Sequence, residues 1–164
     1  MTDVTPEILA QLVDGRLPWT LTKEIMSGHK DGDRFEKYLA LRQSRVPWPE
    51  RILLALGEHL SLVVRGGQRF VKCDCGHELG EASRHWKWGA LIHVRDSREA
   101  MLELYPDHQG ADTALCQLRE YFCPGCATLL EVDAVPPGYP IVEDFVPDVD
   151  AFYRRWLGRE VPTG

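Results

Sequence analysis

Four of the five cysteines lie in two close pairs, an arrangement that can hold a metal ion. The pairs are Cys73-x-Cys75 and Cys123-x-x-Cys126. A close cysteine pair on a tight turn, here called a knuckle, supplies two thiolates, and two such turns complete the tetrahedral sulfur site of structural zinc. The second spacing is typical of zinc ribbons, whereas the single intervening residue of the first pair is less common. We therefore predict that these four cysteines bind one zinc ion.

Three alternatives to this zinc site remain open from the residues alone. His77 could replace one cysteine as a ligand, the same thiolates could hold the iron of a small rubredoxin-like redox protein, or the cysteines could be unrelated buried thiols. The fifth cysteine, Cys116, is expected to be a buried thiol. Because four thiolates leave no open coordination position, the metal would stabilise the fold and not activate water. No catalytic residue is predicted.

Other residues that could do chemistry have simpler interpretations. His85 and His93 could serve as acid or base, but the sequence places no nucleophile beside them, so surface positions are expected. Asp144, Asp148 and Asp150 could bind a hard cation, although their spacing matches no known cation loop. Capping of the last helix by these carboxylates is the favoured interpretation.

A free-standing zinc ribbon that binds nucleic acid is a rival function, because basic residues surround the first pair. They are Arg69, Lys72, Arg84, Lys87 and Arg95. The whole chain has a net charge of −6, which gives no general attraction for nucleic acid, so no such partner is expected. The sequence has neither a P-loop nor a Rossmann glycine motif, and any ATP is expected to bind elsewhere.

The first residues, MTDVTPEILAQLVDG, do not resemble a signal peptide. The longest apolar run, Ile52–Leu56, is far shorter than the roughly 20 residues of a membrane span. Two close cysteine pairs also suit metal binding in a reducing compartment better than a disulfide framework. We therefore expect a cytoplasmic protein with no membrane partner.

Residues 1–49 are predicted to form a helical N-terminal segment. Thr5 can cap a first helix that begins at Pro6, and Gly15 can end that helix in a left-handed conformation. Weaker periodic patterns predict helices near 20–27 and 33–44. Pro47-Trp48-Pro49 then breaks the helical pattern.

Residues 50–135 are predicted to form a zinc-ribbon-like antiparallel β domain. Gly66-Gly67 favours a hairpin between strands Leu60–Arg65 and Gln68–Cys73. Alternation over Trp86–Arg95 predicts a half-buried strand, with Trp86, Trp88, Ala90, Ile92 and Val94 on one face. Residues 115–123 are ambiguous between helix and strand, and strand is favoured because the segment leads into a knuckle. Thr128–Val135 is predicted to be the returning strand.

Residues 136–164 are predicted to form an extended, proline-rich arm that ends in a short helix. The helix, 148–157, would place Val149, Phe152, Tyr153 and Trp156 on one face. It is too short to be stable alone, so it must pack against the chain's own core or a partner. The predicted fold class is therefore α+β.

Five segments carry a resemblance to a known family: CDCGHELGEASRHWKWGALIHVRD, REYFCPGCATLLEVDAVPPGYPIVEDFVPD, FYRRWLG, DGRL and DGDRFEKYLALRQSRVPW. These segments resemble the gamma subunits of acetone carboxylase and of its relative acetophenone carboxylase. They occur in the same order and cover nearly the whole chain. The resemblance implies zinc at Cys73, Cys75, Cys123 and Cys126.

In that family, large subunits related to hydantoinases and oxoprolinases use ATP and bicarbonate to carboxylate a ketone. The resemblance therefore implies a structural, non-catalytic subunit of a hetero-oligomer, with ATP and a further divalent metal on the partner subunits. Ala127 departs from the pattern, because zinc ribbons commonly place glycine there, and a positive φ would cost alanine about 1 kcal/mol. The stretch between His77 and Trp86 differs from the acetone members, which slightly favours an aryl ketone.

Overall fold

The computed structural model describes residues 4–106, 110–143 and 145–164. It divides into two compact units, Met1–Val46 and Pro47–Gly164, and each unit is treated separately below. The first unit is helical, and the second combines antiparallel sheets with short helices. The predicted α+β fold class is confirmed. No helix in the described ranges is long and apolar enough to cross a bilayer.

The first unit consists of helices α1 (Pro6–Val13), α2 (Trp19–Ser27) and α3 (Arg34–Arg45). The hydroxyl of Thr5 accepts a hydrogen bond from the first turn of α1, and Gly15 has a φ of 65°. The sequence predicted both of these features. The core of this unit is built from Val4, Leu9 and Ile25.

The larger sheet of the second unit has four strands in the order β1-β2-β3-β4, all antiparallel. Its strands are β1 (Arg51–Ala55), β2 (Leu60–Arg65), β3 (Gln68–Cys73) and β4 (Glu78–Glu81). Gly66 and Gly67 form the β2–β3 turn with φ values of 56° and 78°, as predicted. Most of the buried aliphatic side chains come from β1 and β2, so the core of the unit lies around these two strands.

The smaller sheet has three antiparallel strands in the order β5-β6-β7. They are β5 (Leu91–Arg95), β6 (Gln117–Phe122) and β7 (Leu129–Val135), and a short helix α4 (Arg98–Leu102) follows β5. The ambiguous segment 115–123 is thus a strand over most of its length, as was favoured. The single strand predicted over Trp86–Arg95 is wrong in its first half, because Trp86–Gly89 forms a 3-10 turn.

Two contacts explain why this turn replaces the start of the predicted strand. The Lys87 side chain is fully buried, and its Nζ lies 2.6 Å from Glu131 and 2.9 Å from Asp133 of β7. Gly89 lies so close to β4 that a Cβ atom would come within 2.0 Å of a carbonyl oxygen. Trp88 is left 68% exposed. The alternating pattern therefore assigned the inner and outer residues of this turn wrongly.

The last helical segment consists of α5 (Val149–Ala151), which continues into a π-helical turn at Phe152–Trp156. Tyr153 is buried, and its O–H donates to the carbonyl oxygen of Leu53 at 2.9 Å. Trp156 is 83% exposed, although it was predicted to share one face with the buried residues Val149 and Tyr153. A π-helical turn holds more residues per turn than an α-helix, so Trp156 does not share the buried face.

The aspartates near this helix have separate roles. Asp148 accepts a hydrogen bond from the Ala151 N–H at 2.9 Å, which confirms its predicted capping role. Asp150 instead forms two hydrogen bonds with the guanidinium of Arg69 on β3, at 2.7 and 2.8 Å. Asp144 lies outside the described residues.

Candidate metal centre

The first knuckle, residues 73–77, connects β3 to β4. Cys73 is the last residue of β3, and its N–H donates to the carbonyl of His77 at 2.9 Å. The N–H of Gly76 donates back to the carbonyl of Cys73 at 2.8 Å. Gly76 has a φ of 102°, so glycine allows the chain to turn directly after Cys75. Cys73 is buried and Cys75 is exposed.

The second knuckle, residues 123–128, connects β6 to β7. The N–H of Cys123 donates to the carbonyl of Thr128 at 2.9 Å, and the N–H of Ala127 donates to the carbonyl of Cys123 at 2.8 Å. Ala127 has a φ of 58° and is the only non-glycine residue with positive φ in the described ranges. The strained alanine that the sequence pointed to is therefore present.

The two knuckles bring the four cysteine sulfurs together, although they belong to different sheets. Sγ of Cys73 lies 3.8 Å from that of Cys126, and Sγ of Cys75 lies 3.6 Å from that of Cys123. All four sulfurs lie within 4.8 Å of one another. A tetrahedron with Zn–S bonds of about 2.3 Å requires sulfur separations of about 3.8 Å. The cysteines are free thiols, and their arrangement fits a four-thiolate metal site.

His77 and Cys116 are not part of this group. Gly125 packs on His77 so closely that a Cβ atom would lie 2.8 Å from the histidine Cβ. His77 thus packs against the second knuckle. Position 125 requires glycine because a larger residue would clash with His77. Cys116 is half-buried, whereas a fully buried thiol was expected. The alternative of four scattered thiols is wrong, because the sulfurs form one cluster.

The environment affects the thiols in opposite directions. Burial raises the pKa of Cys73 and that of Cys75. Hydrogen bonds from the side chain and backbone of Thr128 lower the pKa of Cys126 to about 6. The hydroxyl of Thr128 lies 3.1 Å from Sγ of Cys126 and can donate to the thiolate. Because cysteines bind metals as thiolates, metal binding at this site would release protons.

Sequence reasoning missed the side chains that support the first knuckle. The indole N–H of Trp48 donates to the carbonyl of Asp74 at 3.1 Å, and His59 contacts the carboxylate of the same residue at 3.2 Å. Trp48 was interpreted only as part of a proline-flanked break. A large aromatic residue in such a break was the available signal, since tryptophan is highly buried on average.

Most of the basic residues near the first knuckle have carboxylate partners. The ion pairs are Arg69–Asp150, Lys72–Glu50, Lys87–Asp133 and Arg95–Glu120. Paired cations attract phosphate less than free ones do, which gives the nucleic-acid interpretation little support.

Of the two candidate histidines, His93 has the surface position expected for it, whereas His85 is half-buried beside a 3-10 turn. His85 Nδ1 accepts the backbone N–H of Lys87 at 3.2 Å, so it caps the 3-10 turn. His93 is exposed on β5, as expected for a residue on a sheet surface. Both therefore have structural or surface interpretations.

A family model described as "Acetone carboxylase gamma subunit" matches residues 46–157. The chain belongs to this family. The matched region includes all four clustered cysteines and the last helical segment. The acetone carboxylase gamma subunit of Xanthobacter autotrophicus is 39% identical over 156 residues, which cover 94% of this chain and 93% of that protein.

A second relative is the acetophenone carboxylase beta subunit of Aromatoleum aromaticum. It is 31% identical over 84 residues, which cover 50% of this chain and 65% of that protein. The resemblance seen in the sequence is confirmed, although the acetophenone relative is called a beta subunit. The slight preference for an aryl ketone gains less support, because the match to the acetone relative is longer and closer. Both relatives are subunits, which implies that this chain has other subunits as partners.

Proposed function

We propose that this chain is a zinc-containing accessory subunit of an ATP- and bicarbonate-dependent ketone carboxylase, with a structural role. The observation that carries the proposal is the cluster of Cys73, Cys75, Cys123 and Cys126, whose sulfurs meet between two sheets in a member of this family. Four thiolates fill a tetrahedral coordination sphere. The metal then holds the chain together and takes no part in the carboxylation.

Zinc can provide the free energy that this link between sheets requires. Cys75 and Cys123 are 48 residues apart, and closing such a loop costs conformational entropy that grows only slowly with length. Structural zinc sites in small domains contribute about 10–16 kcal/mol near neutral pH. The binding free energy therefore exceeds the closure cost and becomes folding free energy of the second unit.

The partner subunits are proposed to carry the chemistry. This chain has no phosphate-binding glycine motif, and its buried cations Lys72 and Lys87 are paired with carboxylates. We therefore place ATP, bicarbonate and a further divalent metal on large hydantoinase- and oxoprolinase-like subunits of a cytoplasmic hetero-oligomer. Neither nucleic acid nor a membrane is a proposed partner. The longer match to the acetone relative supports acetone as the ketone.

The proline-rich arm and last helix, residues 136–164, are proposed to be the part that contacts the large subunits, beside the ribbon domain 50–135. Its exposed aromatic residues suit a protein interface: Tyr139 is 44% exposed, Phe145 63% and Trp156 83%. Tyr153 of the same segment is buried and bonded to the core. Truncation after Val135 would remove this core residue, so point variants test docking more cleanly.

The metal proposal is tested by elemental analysis of the purified chain and of two serine variants. We expect a colourless protein with about one zinc per chain. Cys126→Ser should lose most of the zinc, whereas the matched control Cys116→Ser should keep it. A red, iron-loaded protein, or a wild-type protein without metal, would contradict the proposal.

The partner proposal is tested by native co-purification of the untagged chain with the large carboxylase subunits. Trp156→Ala and Phe145→Ala should reduce the amount of large subunit recovered. Trp19→Ala removes a tryptophan of similar exposure, 69%, from the helical unit and is the control. Recovery that is unchanged in both arm variants would rule out docking through this segment.

A further inference from the structure

The first knuckle is held from outside by three contacts to one residue. Asp74 is the single residue between Cys73 and Cys75, and its N–H donates to the carbonyl of His59 at 3.0 Å. Its carbonyl accepts the indole N–H of Trp48 at 3.1 Å. Its carboxylate lies 3.2 Å from Nδ1 of His59. The backbone between the two cysteines is therefore fixed on both sides of Asp74.

Trp48 is itself locked in place. It is only 8% exposed, and its ring lies 3.3 Å from where a Cβ of Gly76 would stand. Nζ of Lys72 lies 4.9 Å from the centre of the ring and 2.6 Å from a carboxylate oxygen of Glu50. A desolvated cation over an indole stabilises the ring position. The indole thus presents its N–H to Asp74 from a rigid support.

The second knuckle has a different construction. Hydrogen bonds that shape it run within the turn, from Cys123 to Thr128 and from Ala127 back to Cys123. Residues 124–127 are exposed, and Ala127 holds a left-handed conformation that costs alanine free energy. The first knuckle is thus held by the buried Trp48 and the partly exposed His59, whereas the second is exposed and strained.

From this asymmetry we propose that the first knuckle is a preformed half-site, and that zinc is captured when the second knuckle closes onto it. Trp48 and His59 are positioning residues in this scheme, because they act through Asp74 on the orientation of Cys73 and Cys75. Preorganised ligands lose less conformational freedom on binding, so Cys73 and Cys75 need the smaller rearrangement to hold the metal. The inference rests on the proposed zinc site.

Hydrogen exchange on the full chain tests the half-site without any substitution. After zinc is removed with a chelator, the amides of Asp74 and Gly76 should remain protected, whereas that of Ala127 should exchange at least about tenfold faster than in the loaded chain. Re-adding zinc should restore protection of Ala127. Equal loss of protection in both knuckles, or loss confined to the first, would overturn the proposal.

A matched pair of variants tests the role of the indole. Trp48→Phe keeps an aromatic ring but removes the N–H that donates to the partly buried carbonyl of Asp74, and zinc affinity should fall about tenfold in competition with a chromophoric chelator. Trp88→Phe alters an exposed ring, 68% accessible, and should leave affinity unchanged. Trp48→Phe should also lose protection at Gly76 in the zinc-free chain.

The outcomes separate this proposal from the one on which it rests. Equal zinc affinity in Trp48→Phe and Trp88→Phe, with zinc still bound by the wild type, would refute the half-site alone. A wild-type chain that binds no zinc would remove the metal centre and, with it, the half-site. Circular dichroism of both variants checks that a change in affinity does not reflect an unfolded chain.

Discussion

Replacing Ala127 by glycine should stabilise the zinc-loaded protein, although glycine usually destabilises folded proteins. Ala127 has a φ of 58° in the second knuckle. In this region the Cβ of an L-residue crowds the neighbouring carbonyl oxygen, and glycine has no such contact. The turn is compact because the N–H of Ala127 donates to the carbonyl of Cys123 at 2.8 Å, so the strain cannot be relieved by rotation without losing that bond.

The expected magnitude is the difference of two effects. Relief of the left-handed conformation is worth about 1–2 kcal/mol. The extra freedom of glycine in the unfolded chain costs about 0.4–1 kcal/mol. Ala127→Gly should therefore stabilise the protein by about 0.5–1 kcal/mol, which raises Tm by about 1–3 °C for a chain of this size.

Thermal unfolding with zinc in excess measures this effect, and Ala134→Gly is the matched control. Ala134 is exposed near the end of β7, where the strand conformation suits any L-residue. Glycine there should destabilise by about 0.5–1 kcal/mol, so the two variants should shift Tm in opposite directions. A fall in Tm for Ala127→Gly equal to that for Ala134→Gly would show that residue 127 carries no conformational strain.

Three further predictions concern the buried polar contacts of the second unit. Burial and the Asp133 carboxylate raise the pKa of Tyr121 to about 12. The stability that the protonated Tyr121 contributes is therefore complete below pH 10 and is lost as the pH rises towards 12. The urea midpoint of unfolding should fall over this pH range, and it should fall less in Tyr121→Phe. An identical decline in both proteins would contradict this assignment. Lys87→Met leaves the Glu131 and Asp133 carboxylates of β7 without their cation. The free energy of unfolding in urea titrations should fall by about 3 kcal/mol. A change under about 0.5 kcal/mol would show that the ion pairs of Lys87 are not needed for stability. Asp150→Asn weakens the partly exposed ion pair with Arg69 by about 1 kcal/mol. Hydrogen exchange in the last helical segment should therefore accelerate. Unchanged exchange would mean that packing alone holds this segment in place.

Local signals were sufficient for the elements that carry the cysteines. Gly66-Gly67 identified a hairpin because both residues need positive φ, and the structure has that turn. The strand leading to Cys123 was predictable from its position before a knuckle, and the returning strand from a run rich in Leu and Val that ends at a proline turn signal. The close spacing within each cysteine pair therefore identified two turns correctly.

Side-chain burial was not predictable at Trp86–Gly89. Alternation placed Trp88 inside and Lys87 outside, whereas the lysine is buried and the tryptophan is exposed. The reason lies in residues more than 40 positions away, because the carboxylates of Glu131 and Asp133 bind the ammonium group. A pattern within ten residues contains no information about such partners, and tertiary contacts override the alternation.

The contact between the two knuckles could be predicted only by assuming that all four cysteines bind one metal ion. Spacing within each pair fixes two turns, but it does not say that turns from two different sheets face each other. In the structure Gly125 lies so close to His77 that a Cβ atom there would be 2.8 Å from the histidine Cβ, so the two knuckles are in direct contact. The supporting role of Trp48 depends on a contact 26 residues away in sequence and has no local pattern.

The location of the cysteine cluster also explains how a three-stranded sheet can be stable here. Sheet β5-β6-β7 leaves apolar side chains such as Leu91, Leu129 and Val132 between 42% and 57% exposed, and its fully buried Tyr121 is aromatic, so it adds little to the aliphatic core. Small sheets of this kind are marginal without further packing. In the proposed holo protein, zinc joins this sheet to β1–β4, where most of the buried aliphatic core lies. Loss of the metal should therefore release the smaller sheet first, while β1–β3 keep their protection.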